Sequence, residues 1–531
     1  MSTAAPTTDQ EVWRPKYNPW LIAVVVAMAA FMEVLDTSIA NVALPYIAGN
    51  LGASNDQSTW VLTSYLVSNA IILPISGWLA ATLGRKRFFM SCLVVFTVSS
   101  LLCGFAPSLG FLLLFRVLQG AGGGGLQPMA QAILADTFPP QQRGLAFALY
   151  GITAIMAPTI GPTLGGWITF NYSWRWIFFI NLPVGVITGL LVRRFVEDPP
   201  YLAKLKAAGA KLDYIGISFL ALGIGALQIM LDRGQEDDWF GSHFITTLAV
   251  VATVCLISLV IWEFYQKTPI IDVRMFKSFN FASSSLMMFM LGISLFSSLV
   301  LMPQFLQTLV GYTSQIAGLA LSAGGLVLLI EMPIMGQLTT KIQARYLIAF
   351  GWLSLSIAMF YSTQRIDLLI SFSSATWLRI AQVIGLGFLF VPITLVAYIG
   401  IAPEKNNSVA GIINFMRNMG SSVGTSMVTT VIARRSQFHQ GRLVQNVRVD
   451  NPNLVNAANS LAQQLATGGV GKHEALPTAY ARIYVALQAQ AASLAYIDTF
   501  MVLCVASGIM FFLAFLLKKN DPGGGGVQIM E

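Results

Sequence analysis

Long apolar runs govern what this chain can fold into. A helix crosses the hydrocarbon core of a bilayer in about 20 residues, and on that ruler about fourteen candidates follow one another, starting near residues 19, 59, 88, 110, 145, 176, 213, 244, 281, 316, 346, 377, 408 and 497. Backbone N–H and C=O groups find no partner in lipid, so runs of this length are read as helices. The expected class is an all-α polytopic membrane protein. Composition agrees: of 531 residues, 55% are hydrophobic and only 10% charged, and the mean hydropathy is +0.69. The polar first eighteen residues are no signal h-region, and the run from Pro19 is expected to remain as the first helix.

A formal charge of +8 would suit nucleic acid if it lay on one face, but the basic residues sit in short clusters between apolar runs. No nucleic-acid partner is expected. Cys92, Cys103, Cys255 and Cys504 lack paired spacing, and His243, His439 and His473 lack ligand neighbours, so neither disulfides nor a metal site is expected. The basic clusters report topology. Arg85, Lys86, Arg87, Arg143, Arg193, Arg194, Lys204, Lys206, Lys211, Lys267, Arg274, Lys277, Lys341, Arg345 and Lys405 fall between even and odd spans, with Arg14, Lys16, Lys518 and Lys519 in the tails. By the positive-inside rule that face, with both termini, is cytoplasmic. The other face carries the acidic loop of Asp232, Glu236, Asp237 and Asp238.

Residues 434–495 form the one long external loop. Asn453 to Leu465 and Ala475 to Leu494 carry apolar residues at helical spacing around a glycine turn. Two amphipathic helices and a plain spacer are both open readings. The tail Pro522 to Gly526 reads as a flexible end.

The two halves repeat each other at an offset of about 260 residues, a known signature of transporters. Leu73-Pro74-Ile75-Ser76-Gly77 is echoed by Met332-Pro333-Ile334-Met335-Gly336, Arg116 to Gly122 by Arg379 to Gly385, and Gly161 with Gly165 by Gly420 with Gly424. The expected organisation is a six-helix bundle over 1–198, a linker with two extra helices over 199–275, and a second bundle over 276–531 that carries the loop. Equivalent bundles imply a site between them that opens to one side at a time.

Charges inside spans cost about 2.5–3.5 kcal/mol each on insertion scales, so each needs a reason. Glu33 and Asp36 lie one turn apart on the first span, and Arg116 on the fourth falls at a similar depth to Asp36. We expect Asp36 to approach Arg116, with one of the two acids carrying a proton. A static ion pair is the structural alternative. Glu331 and Arg417 form a candidate inner pair, with Glu331 alternatively a substrate contact. Gly122 to Gly125 sit in an apolar helix without the lysine of a phosphate loop, so they serve close packing. Pro158, Gly161, Pro162, Gly165 and Gly166 interrupt the fifth span and read as a hinge or interface against the partner bundle. Trp174, Arg175, Trp176, Phe178 and Phe179 read as an interfacial aromatic belt. No nucleotide loop, cofactor site or enzymatic centre is expected, and an ion gradient supplies the energy.

At these residues the chain resembles the 14-span drug:proton antiporter branch of the major facilitator superfamily. Leu35-Asp36-Thr37-Ser38 through Asn41 to Pro45 is similar to the first-helix motif, Arg116-Val117-Leu118-Gln119-Gly120 to the fourth-helix motif, and Gly161-Pro162-Thr163-Leu164-Gly165-Gly166 to the antiporter motif of helix five. The resemblance implies a major facilitator fold, proton-coupling roles for Asp36, Glu33 and Arg116, and gating by span five. It also implies a gate at Gly77 and Arg85, although Ala81 stands where that motif has aspartate. Gln119, Asn41, Arg379 and Gln382 become candidate substrate-cavity residues. Trp174 to Asn181, Leu227 to Gly234 and the last external loop look like the Emr-type inner-membrane exporters. That likeness implies hydrophobic drugs as cargo, and a periplasmic adaptor and outer-membrane channel as partners in a tripartite efflux pump. A proton-coupled symporter, a single-metabolite exporter on the same fold, and a receptor without transport are the competing readings.

Overall fold

The computed structural model describes residues 15–200, 213–266, 269–445, 447–448 and 450–519. Arg14, Lys204, Lys206, Lys211 and Lys267 of the expected basic face, and the Pro522 to Gly526 tail, lie outside the described residues. The described residues form helices joined by short turns. The first bundle comprises α1 (Pro19–Leu51), α2 (Asn55–Leu83), α3 (Arg85–Gly104), α4 (Leu109–Thr137), α5 (Pro140–Asn171), and a sixth crossing broken into α6 (Trp176–Phe179) and α7 (Asn181–Phe195). Then come α8 (Tyr214–Arg233) and α9 (His243–Tyr265). The second bundle is α10 (Phe279–Thr308), α11 (Ser314–Leu338), α12 (Ala344–Arg365), α13 (Phe372–Ala397), α14 (Asn406–Val444) and α16 (Lys472–Ala514), with α15 (Pro452–Thr467) outside it.

Local signals set the ends. Asn18 caps α1 by accepting from the Trp20 amide, with Pro19 in the first turn, and α1 stops at Gly52 in the left-handed region (φ 66°). Ser54 and Gln57 form a reciprocal capping box at the start of α2. Gly84 (φ 92°) makes the tight reversal into α3 that only glycine accepts without strain.

Among the described residues, thirteen helices are long and apolar enough to span a membrane. The fourteenth expected crossing, α14, is 39 residues long but carries Asn406, Asn407, Asn414 and Arg417 among its buried residues. It packs along α10, α16 and α2, so its polar face is turned into protein.

Packing repeats between the halves. In the first bundle α1 pairs with α5, α2 and α3 with α4, and α3 with α7; in the second α10 pairs with α14, α11 and α12 with α13, and α12 with α16. The bundles meet through α5 against α11 and α2 against α14, again a symmetric exchange. The inserted pair sits outside this frame. The apolar residues α9 buries, Ile245, Ala252 and Leu259, recur every seven residues as one stripe, while Val250, Val254, Ile257, Val260 and Ile261 are exposed, as a lipid-facing helix requires.

The last helix departs from the sequence reading. Ala475 to Leu494 is not a separate helix but the outer part of the 43-residue α16, because the stretch from Thr478 to Ser507 holds neither glycine nor proline. At 1.5 Å per residue α16 extends about 64 Å and α14 about 58 Å, well beyond a hydrocarbon core of about 30 Å. Their projecting parts are tied by Asp498, which accepts from Arg435 Nε (2.5 Å) and lies 2.7 Å from His439 Nε2, and by Gln440 donating to Tyr484 Oη (3.0 Å). α15 closes onto α16 through Leu465, Ala475 and Ala479.

The glycine run makes α4 the tightest-packed helix of the first bundle. A Cβ at Gly122 would lie 2.6 Å from the Phe96 amide of α3, and one at Gly124 2.7 Å from the Asn69 carbonyl of α2. Each side of α4 thus needs bare backbone. Gly124→Leu is expected to cost about 1–3 kcal/mol, read as a lowered melting temperature of the purified protein in detergent, whereas Gly110→Leu, with open space around it, leaves the midpoint unchanged.

Candidate functional site

Close approach by α4 carries a row of polar side chains to the first helix. Arg116, Gln119, Gln127 and Gln131 fall on one face of α4, and all are buried. Arg116 Nη1 donates to Asp36 Oδ2 at 2.6 Å, and both side chains are almost fully enclosed. Asp36 Oδ1 accepts from Gln119 Nε2 (2.9 Å) and Asn181 Nδ2 (2.6 Å). Arg116 also donates to the Val61 carbonyl (3.0 Å) and lies over the Tyr65 ring at 4.3 Å and the Phe178 ring at 5.6 Å. A buried charge is tolerated when paired and hydrogen-bonded, and here both partners are.

Glu33, one turn nearer the basic face, meets a different environment. Its carboxylate accepts from Tyr65 Oη (2.9 Å), Asn69 Nδ2 (3.1 Å) and Gln127 Nε2, all neutral donors. Gln127 Oε1 in turn accepts from Tyr150 Oη (3.1 Å) and from Arg417 Nη2 of the second bundle. Asn414 continues the chain, donating to Gln131 Oε1 at 2.7 Å. A continuous polar path thus runs from the first helix, through α4, across the bundle interface into α14.

The inner pair expected from sequence does not form. Arg417 reaches Gln127 and lies 5.7 Å over the Phe390 ring, while both oxygens of Glu331 are buried without a hydrogen-bond partner. The reason is direction: Arg417 faces α4, and Glu331 packs its carboxyl on Gly387 of α13.

The residues expected to line a cavity separate. Asn41 is exposed, but Gln119 belongs to the Asp36 network, Arg379 donates to Ser298 Oγ (3.0 Å) and Gln382 to Ser362 Oγ (3.0 Å) inside the second bundle. Their polar ends hold helices together in this conformation and do not face an opening.

Span five shows what its motif does locally. Pro162 has no N–H for the Pro158 carbonyl, and Ser38 of α1 donates to that oxygen instead (3.2 Å). Gly161 and Gly165 press against Ser38 and Ile39, and Gly166 is near Val42, so this glycine face meets α1 of its own bundle. The partner bundle is met by Thr159 and Thr163, against Gly325 and Gly318 of α11. Gly77 lies against Ser408 of α14, where a Cβ would fall 2.8 Å from its Cα, and its repeat mate Gly336 lies equally close to Leu145 of α5.

Arg85 finds the carboxylate that the Ala81 position lacks at the end of α4: its Nη1 is 2.6 Å from Asp136 Oδ2, and its Nε donates to Asn407 of the other bundle (2.8 Å). Asn406 donates to Asp136 Oδ1 (2.6 Å). These contacts seal the bundles at the basic face. Of the aromatic group read as a belt, Trp176 is exposed, but Trp174 and Phe178 are buried and Phe178 serves Arg116.

Sequence reasoning missed Tyr65, Asn69, Gln127, Asn181, Asn414 and Asp136. The signal was present in the amides that recur on the Arg116 face of α4.

This architecture, two pseudo-equivalent helical bundles around a buried polar seam, defines a secondary transporter. Residues 26–425 match the Major Facilitator Superfamily model, and the chain belongs to that family. It is 38% identical over 455 residues to the multidrug export protein EmrB of Escherichia coli strain K12, covering 86% of this chain and 87% of that one. The fatty acid resistance protein FarB of Neisseria gonorrhoeae is 38% identical over 445 residues, covering 84% and 87%. Among solved structures, the proton:xylose symporter XylE shares the fold with a TM-score of 0.59 at 13% identity, over 94% of this chain and 96% of that one.

Asp36→Asn leaves the Arg116 charge buried and unpaired, with an expected loss of about 3–5 kcal/mol. Adding Arg116→Gln restores part of it, and a double-mutant cycle on thermal unfolding in detergent measures the coupling.

Proposed function

We propose that this chain exports amphipathic and hydrophobic compounds across the inner membrane in exchange for protons, with both termini in the cytoplasm. The observation that carries this reading is the polar path from Glu33 through Gln127 to Arg417, which links an ionisable group of one bundle, through a single amide, to a cation of the other. Asp36 already has a cation at 2.6 Å. Glu33 has only neutral donors in direct contact, so a proton is the partner that neutralises it most directly. Ionised Glu33 holds the amide of Gln127, whose carbonyl is turned to Arg417; protonation weakens the first link and with it the hold between bundles at that depth. Separation of the bundles at the basic face then breaks the Arg85–Asn407 and Asp136–Asn406 contacts and opens the seam to the cytoplasm.

The names of the relatives support drugs and fatty acids as the substrate classes. The projecting hairpin of α14, α15 and α16 is the surface we assign to a periplasmic adaptor, and through it to an outer-membrane channel. The test is ethidium accumulation in proteoliposomes with an imposed pH gradient, repeated with oleic acid as competitor. Gradient-driven accumulation that collapses on adding nigericin, and a Glu33→Gln variant that keeps ethidium counterflow but loses the gradient-driven component, are the expected results. Accumulation indifferent to the gradient in the wild type would remove proton exchange from the account.

A further inference from the structure

The two bundles treat their buried charges differently. In the first, Arg116 has Asp36; at the equivalent place in the second, Arg379 has Ser298. The second bundle nonetheless holds a buried carboxyl of its own. Glu331 lies on α11 with 8% of its surface exposed, and neither oxygen has a hydrogen-bond partner. A Cβ at Gly387 would overlap its carboxyl, so the acid sits directly on bare backbone of α13.

The charged and titratable groups on the helices packed around it are turned elsewhere. From α5, Tyr150 bonds Gln127 and Arg143 donates to the Phe138 carbonyl (3.2 Å). From α13, Arg379 is held by Ser298, and its neighbour on α11 is Gly324, two turns from Glu331, about 10 Å at 1.5 Å per residue. Arg417 of α14 is held by Gln127, and α10 carries no charged residue. A carboxylate so placed would be an uncompensated charge in an apolar niche, which proteins avoid by neutralising the group. A proton is the partner that neutralises a carboxyl so placed.

Its position ties that proton to the transport cycle. The next residue, Met332, touches the Gly151 position of α5, and Phe390, one turn from Gly387, stacks on Tyr150 of α5 at 6.0 Å. Glu331 thus lies one helix layer behind the contact between bundles, in the half of α11 that carries Gly336 and ends at Leu338. Parting of α5 from α11 at the basic face admits water to it, and water permits ionisation.

We propose that Glu331 is a second proton-carrying group, loaded in the conformation closed at the basic face and discharged when that face opens, so that each exchange moves one proton more than Glu33 alone carries. This rests on the antiport reading above, and the experiment separates the two. In proteoliposomes of the full chain, the ethidium gradient at which net flux vanishes is measured against the imposed pH gradient, for wild type, Glu331→Gln and Glu331→Asp. The expected result is a proton:ethidium ratio one lower in Glu331→Gln and unchanged in Glu331→Asp. If Glu331→Gln fails to accumulate, Glu331→Met, which suits an apolar niche, takes its place with the same expectation. A ratio equal to wild type in either neutral variant overturns the inference while leaving proton exchange standing. A wild type whose flux ignores the pH gradient overturns the antiport reading and this inference together.

Discussion

A guanidinium cannot rest in hydrocarbon without a partner, and satisfying Arg116 organises much of the first bundle. Its neighbours come from four helices: Asp36 from α1, the Val61 carbonyl and Tyr65 from α2, Gln119 from its own helix, and Phe178 from α6. Bringing those elements within reach requires α4 to lie against α2 and α3 with no side chain between, which is what Gly120, Gly122, Gly123 and Gly124 supply. The same crowding turns Gln127 toward Glu33 and onward to Arg417. Packing in one bundle and contact with the other are thus set by a single helix.

The internal repeat conserves scaffold more closely than chemistry. Arg379 and Gln382 hold the positions of Arg116 and Gln119, and Ser362 sits as Ser100 does, but the acid of the first half is a serine in the second. Gly420 and Gly424 press on Phe289 and Ile293 of α10 as Gly161 and Gly165 press on α1. Equal frames allow the bundles to rock as rigid bodies. Unequal charge places the Asp36–Arg116 ion pair and Glu33 in one bundle, while Glu331 of the other is buried without a hydrogen-bond partner.

Much of this was legible in the sequence because lipid imposes simple rules. Span length, the alternation of basic turns and the charges at residues 36 and 116 located the helices and their ion pair without knowledge of packing. Side-chain direction was less legible. Counting along the spans puts Glu331 and Arg417 both in the inner half, but their side chains face different neighbours, and only the rotation of α11 and α14 about their axes decides that. Asp136 escaped notice because it ends a span and reads as a loop charge, while the long α16 was divided at a boundary that its alanine-rich outer half does not respect. Gln119, Arg379 and Gln382 were assigned to a cavity by motif, whereas their hydrogen bonds turn them inward.

The exchange proposed above requires that entry of substrate drive the proton from Glu33. Its most direct test is proton release from the purified protein in weakly buffered detergent on adding ethidium, for wild type, Glu33→Gln and Asp36→Asn. Release from the wild type and its loss in Glu33→Gln are expected. Release of wild-type size from both substituted proteins would contradict it.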